Sequence, residues 1–202
     1  MPAYLRPLYL SLLLLGAVVS VVDAQGRDIL PPVPTPTDIK PGSITCDECP
    51  YPYPSKYLGI SVYSQDVRIS YMDVEPAVTP NGHTVMLLHG NNFGGFYFKA
   101  IIDGLTAVGF RVIVPDQIGY GKSSKPLVPY NLNSQARNTQ LILQAEQIDK
   151  VMVVGHSMGG MVAQEFMLKH QNRVRSLTLF ATSSAFGKPD GAWQQNFIRQ
   201  RL

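Results

Sequence analysis

The amino-acid sequence predicts an α/β domain in which helices alternate with the strands of a doubly wound, mostly parallel sheet. Three observations support this fold class: short apolar runs indicate strands buried on both faces, amphipathic helix patterns separate those runs, and glycine-rich loops follow several of them. The composition agrees, because a chain with 45% hydrophobic and 15% charged residues is too apolar to be intrinsically disordered. A net charge of +3 without a basic block gives no reason to expect nucleic acid as a partner.

Residues 1–24 have the pattern of a cleaved secretory signal peptide. Arg6 supplies a positive charge, residues 8–22 form an almost purely apolar run of 15 residues, and Val22 and Ala24 are small residues before a cleavage point. The alternative is a membrane anchor, but a spanning helix needs about 20 apolar residues. We therefore expect an exported protein, periplasmic or extracellular, with no stable membrane span once the signal is removed.

Residues 25–56 form a proline-rich segment, which we predict to be an extended N-terminal tail. The tail contains Cys46 and Cys49, the two cysteines of the chain. A zinc site needs four ligands, and the sequence offers no second Cys/His pair. In an exported protein we therefore expect a local, structural disulfide between these cysteines and no bound metal.

The organised part of the chain starts near Tyr57. Its first two strands are close enough in sequence to form a β-hairpin across the polar gap Ser64-Gln65-Asp66. Beyond the hairpin, helices are predicted where apolar residues recur every three or four positions, and strands where apolar residues are continuous. The predicted strands are 57–63, 67–74, 84–88, 110–114, 151–154 and 177–181, and the predicted helices are 98–108, 133–148 and 158–170.

Candidate chemistry lies where the parallel strands end, because ligands of such sheets bind at the carboxyl edge. The strand before the last predicted helix is followed by Gly155-His156-Ser157-Met158-Gly159, a G-x-S-x-G pattern. In this pattern the serine occupies a strained turn that lifts its hydroxyl above the sheet, and the glycines avoid collisions with neighbouring elements. The helix N-terminus offers free N–H groups to a developing oxyanion. Ser157 is therefore predicted to be a catalytic nucleophile, with a phosphate-binding loop or an inert turn as the alternatives.

Two further loops complete a set of three motifs. His89-Gly90 follows the first parallel strand, and the loop after the next strand begins at Asp116 and reads D-x-x-G-x-G-x-S. With the turn at Ser157, these motifs resemble those of the α/β-hydrolase fold family and occur in the same order. The resemblance covers residues 57–182, so we expect this segment to be the N-terminal part of an α/β-hydrolase domain.

The resemblance also implies roles for residues around the nucleophile. It implies that the backbone N–H groups of Asn91 and Met158 form an oxyanion hole. It gives His89 and Gly90, like the two glycines beside the nucleophile, a role in shaping the site. The alternatives are His89 as the catalytic base and Asp116 as the triad acid.

The serine motif indicates acyl transfer through an acyl-enzyme, with a small-molecule ester, thioester or amide as the substrate and no metal or organic cofactor. Carbon–carbon bond hydrolases and perhydrolases of this fold also use a serine. Three aromatic residues near the oxyanion loop either line an apolar pocket or pack into the fold: Phe93, Phe96 and Tyr97. The sequence does not indicate the oligomeric state.

The family's triad runs in the order serine, acid, histidine, and its last two members are missing after Ser157. The acids there are Glu165 and Asp190, the histidine is His170, and none follows a strand in the expected place. We expect residues 183–202 to begin a cap segment, the sheet to be incomplete at its C-terminus, and the chain to be an inactive fragment of a serine hydrolase. The alternative is a non-catalytic remnant or binding protein of the same fold.

Overall fold

The computed structural model describes residues 42–183, which form a six-stranded sheet with three α-helices packed against it. In chain order the elements are β1 (Ser55–Val62), β2 (Gln65–Val74), β3 (Thr84–Leu88), α1 (Lys99–Thr106), β4 (Arg111–Pro115), α2 (Leu132–Ala145), β5 (Val151–His156), α3 (Met158–Lys169) and β6 (Val174–Phe180). Short 3₁₀ turns at Gly95–Phe98 and Gln171–Arg173 precede α1 and β6.

Three predicted segments lie outside the described residues: the signal peptide 1–24, the first part of the tail, 25–41, and the cap segment from 184 onward. In the described part of the tail, Cys46 and Cys49 are joined by a disulfide. Between residues 42 and 183, no helix is long and apolar enough to cross a membrane.

The strand order across the sheet is β1-β2-β4-β3-β5-β6. β2 pairs antiparallel with β1 and β4, whereas β4, β3, β5 and β6 run parallel to one another. The mostly parallel, doubly wound sheet predicted from the sequence is confirmed. Because the four parallel strands share one direction, the loops that carry the three sequence motifs meet at the same edge of the sheet.

The parallel strands are continuously apolar because side chains on both of their faces are buried. In β3, Val85 and Leu87 pack in the apolar cluster that includes residues of α1, whereas Met86 and Leu88 are surrounded by strand neighbours and residues of α2 and α3 on the other face. All four side chains are at most 3% exposed. This alternation accounts for the apolar run that marked β3 in the sequence.

The β1–β2 hairpin shows where the predicted boundaries were wrong. The turn consists of Tyr63 and Ser64, so Gln65 and Asp66 belong to β2 and not to a polar gap. Both turn residues have positive φ, 47° and 60°, as in the type I′ turns that join twisted antiparallel strands. Neither residue is the glycine or asparagine that usually signals such a turn. At the other end of the sheet, β6 begins at Val174, three residues before the predicted start.

Candidate active site

Ser157 lies in the sharp turn between β5 and α3, at the carboxyl edge of the sheet. Its φ of 52° and ψ of −120° form a conformation that non-glycine residues rarely adopt and that costs on the order of 1–3 kcal/mol. Hydrogen bonds hold both sides of this residue. Its N–H donates to the Phe180 carbonyl at 3.2 Å, and its carbonyl accepts from the Gly160 N–H at 2.9 Å and the Thr182 hydroxyl at 2.6 Å. The surrounding structure therefore maintains the strained turn.

The glycines two positions before and after Ser157 stand where a side chain has no room. A Cβ on Gly155 would lie 2.5 Å from the Cα of Gly160, and a Cβ on Gly159 would overlap the carbonyl oxygen of Leu88. These close approaches let α3 begin directly against the end of β3. They bring the turn next to the segment that follows β3, residues 89–94, which we call the β3 loop.

Among the backbone N–H groups near Ser157, those of Asn91 and Met158 have no acceptor within residues 42–183. Met158 is the first residue of α3, and the first N–H groups of a helix have no partner in the helix. The β3 loop touches the turn, because a Cβ on Gly90 would lie 3.3 Å from the Cβ of Ser157. The two unpaired donors therefore belong to segments in contact with each other.

His89 is fully buried, and both of its ring nitrogens are occupied. Nδ1 lies 2.8 Å from the Gly90 carbonyl oxygen, which can only accept, and Nε2 accepts the Gln117 N–H at 2.9 Å. The two partners together require the neutral ring protonated at Nδ1. Burial lowers the pKa of His89, which favours the same neutral form. Neither nitrogen is placed to take a proton from Ser157, which argues against His89 as the base.

The bond from His89 to Gly90 also orients the neighbouring N–H group. The Gly90 carbonyl and the Asn91 N–H belong to one planar peptide unit and point in opposite directions. By holding the carbonyl on one side, the His89 ring directs the Asn91 N–H to the other side. This hydrogen bond is a physical basis for the site-shaping role expected of His89.

Asp116 begins the loop after β4, residues 116–124, which we call the β4 loop, and its carboxylate binds the start of the 3₁₀ turn that follows the β3 loop. Asp116 is 2% exposed and accepts hydrogen bonds from the Gly95 N–H at 2.6 Å, the Lys122 N–H at 2.7 Å and the Tyr51 hydroxyl at 2.7 Å. Burial and the nearby carboxylate raise the pKa of Tyr51, so its hydroxyl remains a donor. With three donors already bound, Asp116 fastens these segments together, which argues against it as the triad acid.

His156 faces the β3 loop through an aromatic neighbour. The Tyr97 hydroxyl accepts the Gly90 N–H at 3.0 Å and is hydrogen-bonded to His156 Nδ1 at 2.8 Å, while the His156 ring stacks on Phe180 at 4.8 Å between centroids. Tyr97 therefore links β5, the strand that precedes Ser157, to the β3 loop. Among the three aromatic residues singled out in the sequence, this one has a defined polar contact.

The other two aromatic residues, Phe93 and Phe96, are exposed over 47% and 43% of their surface. Their rings contact Tyr97 edge-on, at 5.2 Å and 6.1 Å between centroids. They form an apolar rim beside the β3 loop instead of packing into the core. Between residues 42 and 183, no group of three or more His, Cys, Asp or Glu side chains could hold a metal ion.

Sequence reasoning missed two tyrosines that act on these loops. Tyr51 belongs to the proline-rich tail, where the sequence gives no sign of a contact with these loops. Its hydroxyl nevertheless donates a hydrogen bond to Asp116. Tyr120 occupies a variable position of the D-x-x-G-x-G-x-S pattern, and its hydroxyl donates to Asn91 Oδ1 at 2.7 Å. Neither contact has a local sequence signal, because the partners are 65 and 29 residues apart.

Comparison with known proteins places this arrangement in a family. The family model for the alpha/beta hydrolase fold matches residues 83–201, which include the β3 loop, the β4 loop and the turn at Ser157. The chain belongs to the α/β-hydrolase fold family. Among solved structures, a probable hydrolytic enzyme from Pseudomonas aeruginosa PAO1 superposes with a TM-score of 0.68 and 33% identity, over 79% of this chain and 56% of that one.

Curated α/β-hydrolase relatives match a similar part of the chain. A 2-hydroxy-6-oxononadienedioate/2-hydroxy-6-oxononatrienedioate hydrolase of Dechloromonas aromatica is 35% identical over 130 residues, which are 62% of this chain and 43% of the relative. A cis-3-alkyl-4-alkyloxetan-2-one decarboxylase of Xanthomonas campestris is 31% identical over 127 residues, 58% of this chain and 41% of the relative. The chain thus spans less than half the length of these relatives.

Proposed function

We propose that this α/β-hydrolase is a serine hydrolase in which Ser157 attacks an ester, thioester or amide of a small-molecule substrate. The observation that carries the proposal is the backbone of Ser157. A serine held at φ 52° between a buried strand and a helix N-terminus is strained, and strain of this kind persists where function requires it. Ser157 is also partly exposed at the carboxyl edge of the sheet, where ligands of such sheets bind.

The proposed reaction has two steps that balance without a cofactor. The Ser157 oxygen bonds to the acyl carbon as a base removes the hydroxyl proton, and the carbonyl oxygen becomes an oxyanion. The N–H groups of Asn91 and Met158 stabilise that oxyanion. The alcohol, thiol or amine leaves with the proton, and water then releases the acid from the acyl-enzyme by the same route.

Residues 42–183, which contain all four histidines of the chain, supply no base for Ser157. Among residues 42–183, no side chain is hydrogen-bonded to the Ser157 hydroxyl, and the ring nitrogens of His89 have other partners. We therefore propose that the 202-residue chain alone lacks turnover. We also propose export through the signal at residues 1–24, which predicts a secreted product that begins at Gln25 and is identifiable by intact mass.

The test compares two chains, the 202-residue protein and the full chain that carries it, each as wild type, Ser157→Ala and the control Ser61→Ala on β1. With p-nitrophenyl acetate, we expect Ser157→Ala to abolish turnover of the full chain and Ser61→Ala to leave it unchanged. If the rate of the full chain does not depend on Ser157, the assignment of this residue as the nucleophile is wrong. That outcome favours the alternative, a non-catalytic binding protein. If the 202-residue protein itself hydrolyses the ester at a rate that depends on Ser157, the proposal that it has no catalytic base is wrong.

A further inference from the structure

The Tyr120 hydroxyl lies between the two residues whose N–H groups form the proposed oxyanion hole. It donates to Asn91 Oδ1 at 2.7 Å and lies 3.6 Å from the sulfur of Met158, a weaker acceptor. Asn91 follows β3 and Met158 begins α3, so these two residues are 67 positions apart in the chain. A single side chain from a third segment thus touches both halves of the proposed site.

The backbone around Tyr120 is itself well held. Its N–H donates to the Gln117 carbonyl at 2.9 Å, and its carbonyl accepts the Ser123 N–H at 3.0 Å. The glycines before and after it have φ of 97° and 47°, which lets the β4 loop turn tightly on both sides of Tyr120. The ring also meets the buried His89 ring edge-on, at 5.4 Å between centroids. Tyr120 therefore presents its hydroxyl from a fixed point.

Asn91 needs such an anchor more than its neighbours do. The peptide on its N-terminal side is held by His89 and Tyr97 through Gly90, but Asn92 on its C-terminal side has a φ of 63° and is exposed. The bond from Tyr120 to Asn91 Oδ1 is the side-chain hydrogen bond that the described structure gives to Asn91. It restrains the residue at the point where the loop turns away from the site.

We propose that Tyr120 is a positioning residue: by holding the Asn91 side chain, it fixes the position of Asn91 and so the separation of its N–H from the Met158 N–H. This inference rests on the proposed function, since it concerns the same oxyanion hole. Tyr120 acts through Asn91 and Met158, and it is required most when negative charge develops on the substrate oxygen. Its loss should therefore weaken stabilisation of the transition state more than binding of the substrate.

The experiment uses the full chain that carries this sequence, as Tyr120→Phe, which removes only the hydroxyl. We expect kcat for p-nitrophenyl esters to fall about tenfold, less than the loss of an entire oxyanion donor, with KM within about twofold of wild type. The matched control is Tyr130→Phe, which removes a 2.6 Å hydrogen bond to the Pro126 carbonyl but does not touch Asn91. The control should retain wild-type kcat.

A double-mutant cycle separates positioning from a general loss of stability. In an Asn91→Ala background, which keeps the backbone N–H, Tyr120→Phe should lower kcat by less than about twofold, because its partner is already gone. Additive effects, or an unchanged kcat with a lowered melting temperature, would overturn the inference. Labelling by a fluorophosphonate tests the proposed function separately: if Ser157→Ala is labelled as fast as wild type, the nucleophile is wrong whatever Tyr120 does.

Discussion

The hydroxyl of Thr182 donates a 2.6 Å hydrogen bond to the carbonyl oxygen of Ser157. Thr182 stands two residues beyond the end of β6, so this bond joins the last strand of the sheet to the first turn of α3. The same side chain occupies the space where a Cβ on Gly160 would lie, at 2.5 Å from its Oγ1. The position of Ser157 therefore depends on β6 as well as on β5.

Thr182→Val should lower the free energy of unfolding by about 1 kcal/mol, because it removes this bond while keeping the shape of the side chain. The cost stays modest, since the Ser157 carbonyl also accepts the Gly160 N–H. Urea denaturation followed by circular dichroism measures the change. The control is Thr178→Val within β6, which should be neutral; equal losses in both variants would contradict the assigned role of the bond.

Gly159→Ala should destabilise the protein by about 2 kcal/mol or more, although alanine favours helices, because the new Cβ would overlap the Leu88 carbonyl oxygen. Gly104→Ala is the matched control. Gly104 lies within α1 with no atom within 4 Å of a Cβ, so this substitution should raise stability by about 0.5–1 kcal/mol. Thermal or urea unfolding should therefore show changes in stability of opposite sign for the two variants. If Gly159→Ala is as stable as wild type, the contact between Gly159 and β3 is not tight.

His89 should stay neutral and protonated at Nδ1 at pH values below its ordinary pKa of about 6.5. Its pKa is lowered by burial, so the unfolded chain takes up a proton before the folded one does. The stability from this group is complete above the unfolded pKa and is lost as pH falls toward the folded pKa. Nitrogen-15 NMR of the His89 ring measures both its charge and which ring nitrogen carries the proton. A charged ring at about pH 6, or a proton on Nε2, would contradict the hydrogen bonds described for His89.

Asp73 should contribute stability that is lost only in acid. Burial opposes its charge, but hydrogen bonds from Arg111 and Lys56 outweigh this, so the pKa of Asp73 lies below its ordinary value. The contribution is present above the unfolded pKa of about 3.9 and disappears as pH falls through the folded pKa. Asp73→Asn should flatten the dependence of urea stability on pH below about pH 4. Asp149→Asn, at an exposed position, leaves these ion pairs intact and should retain the wild-type slope.

The fold class and the strained turn at Ser157 were predictable because their signals are local. A continuous apolar run indicates a strand that is buried on both faces. Gly155 and Gly159 indicate the crowding around Ser157, and the whole signal lies within five residues of sequence. The hairpin turn was misplaced because Tyr63 and Ser64 adopt positive φ without the residues that usually allow it. A local signal therefore succeeds where sterics select the residue type, and fails where the tertiary structure imposes the conformation.

By itself, the sequence determined the alternation of strands and helices, the three loops at the carboxyl edge, and the serine in the strained turn. Only the tertiary structure decided which hydrogen bonds hold the loops of that edge together. They join three tyrosine hydroxyls to residues distant in sequence: Tyr51 to Asp116, Tyr97 to Gly90, and Tyr120 to Asn91. The strand order places β3 between β4 and β5 and brings loops distant in sequence into contact. Hydrogen bonds between them depend on distances of about 3 Å in space, which residue spacing along a chain does not encode.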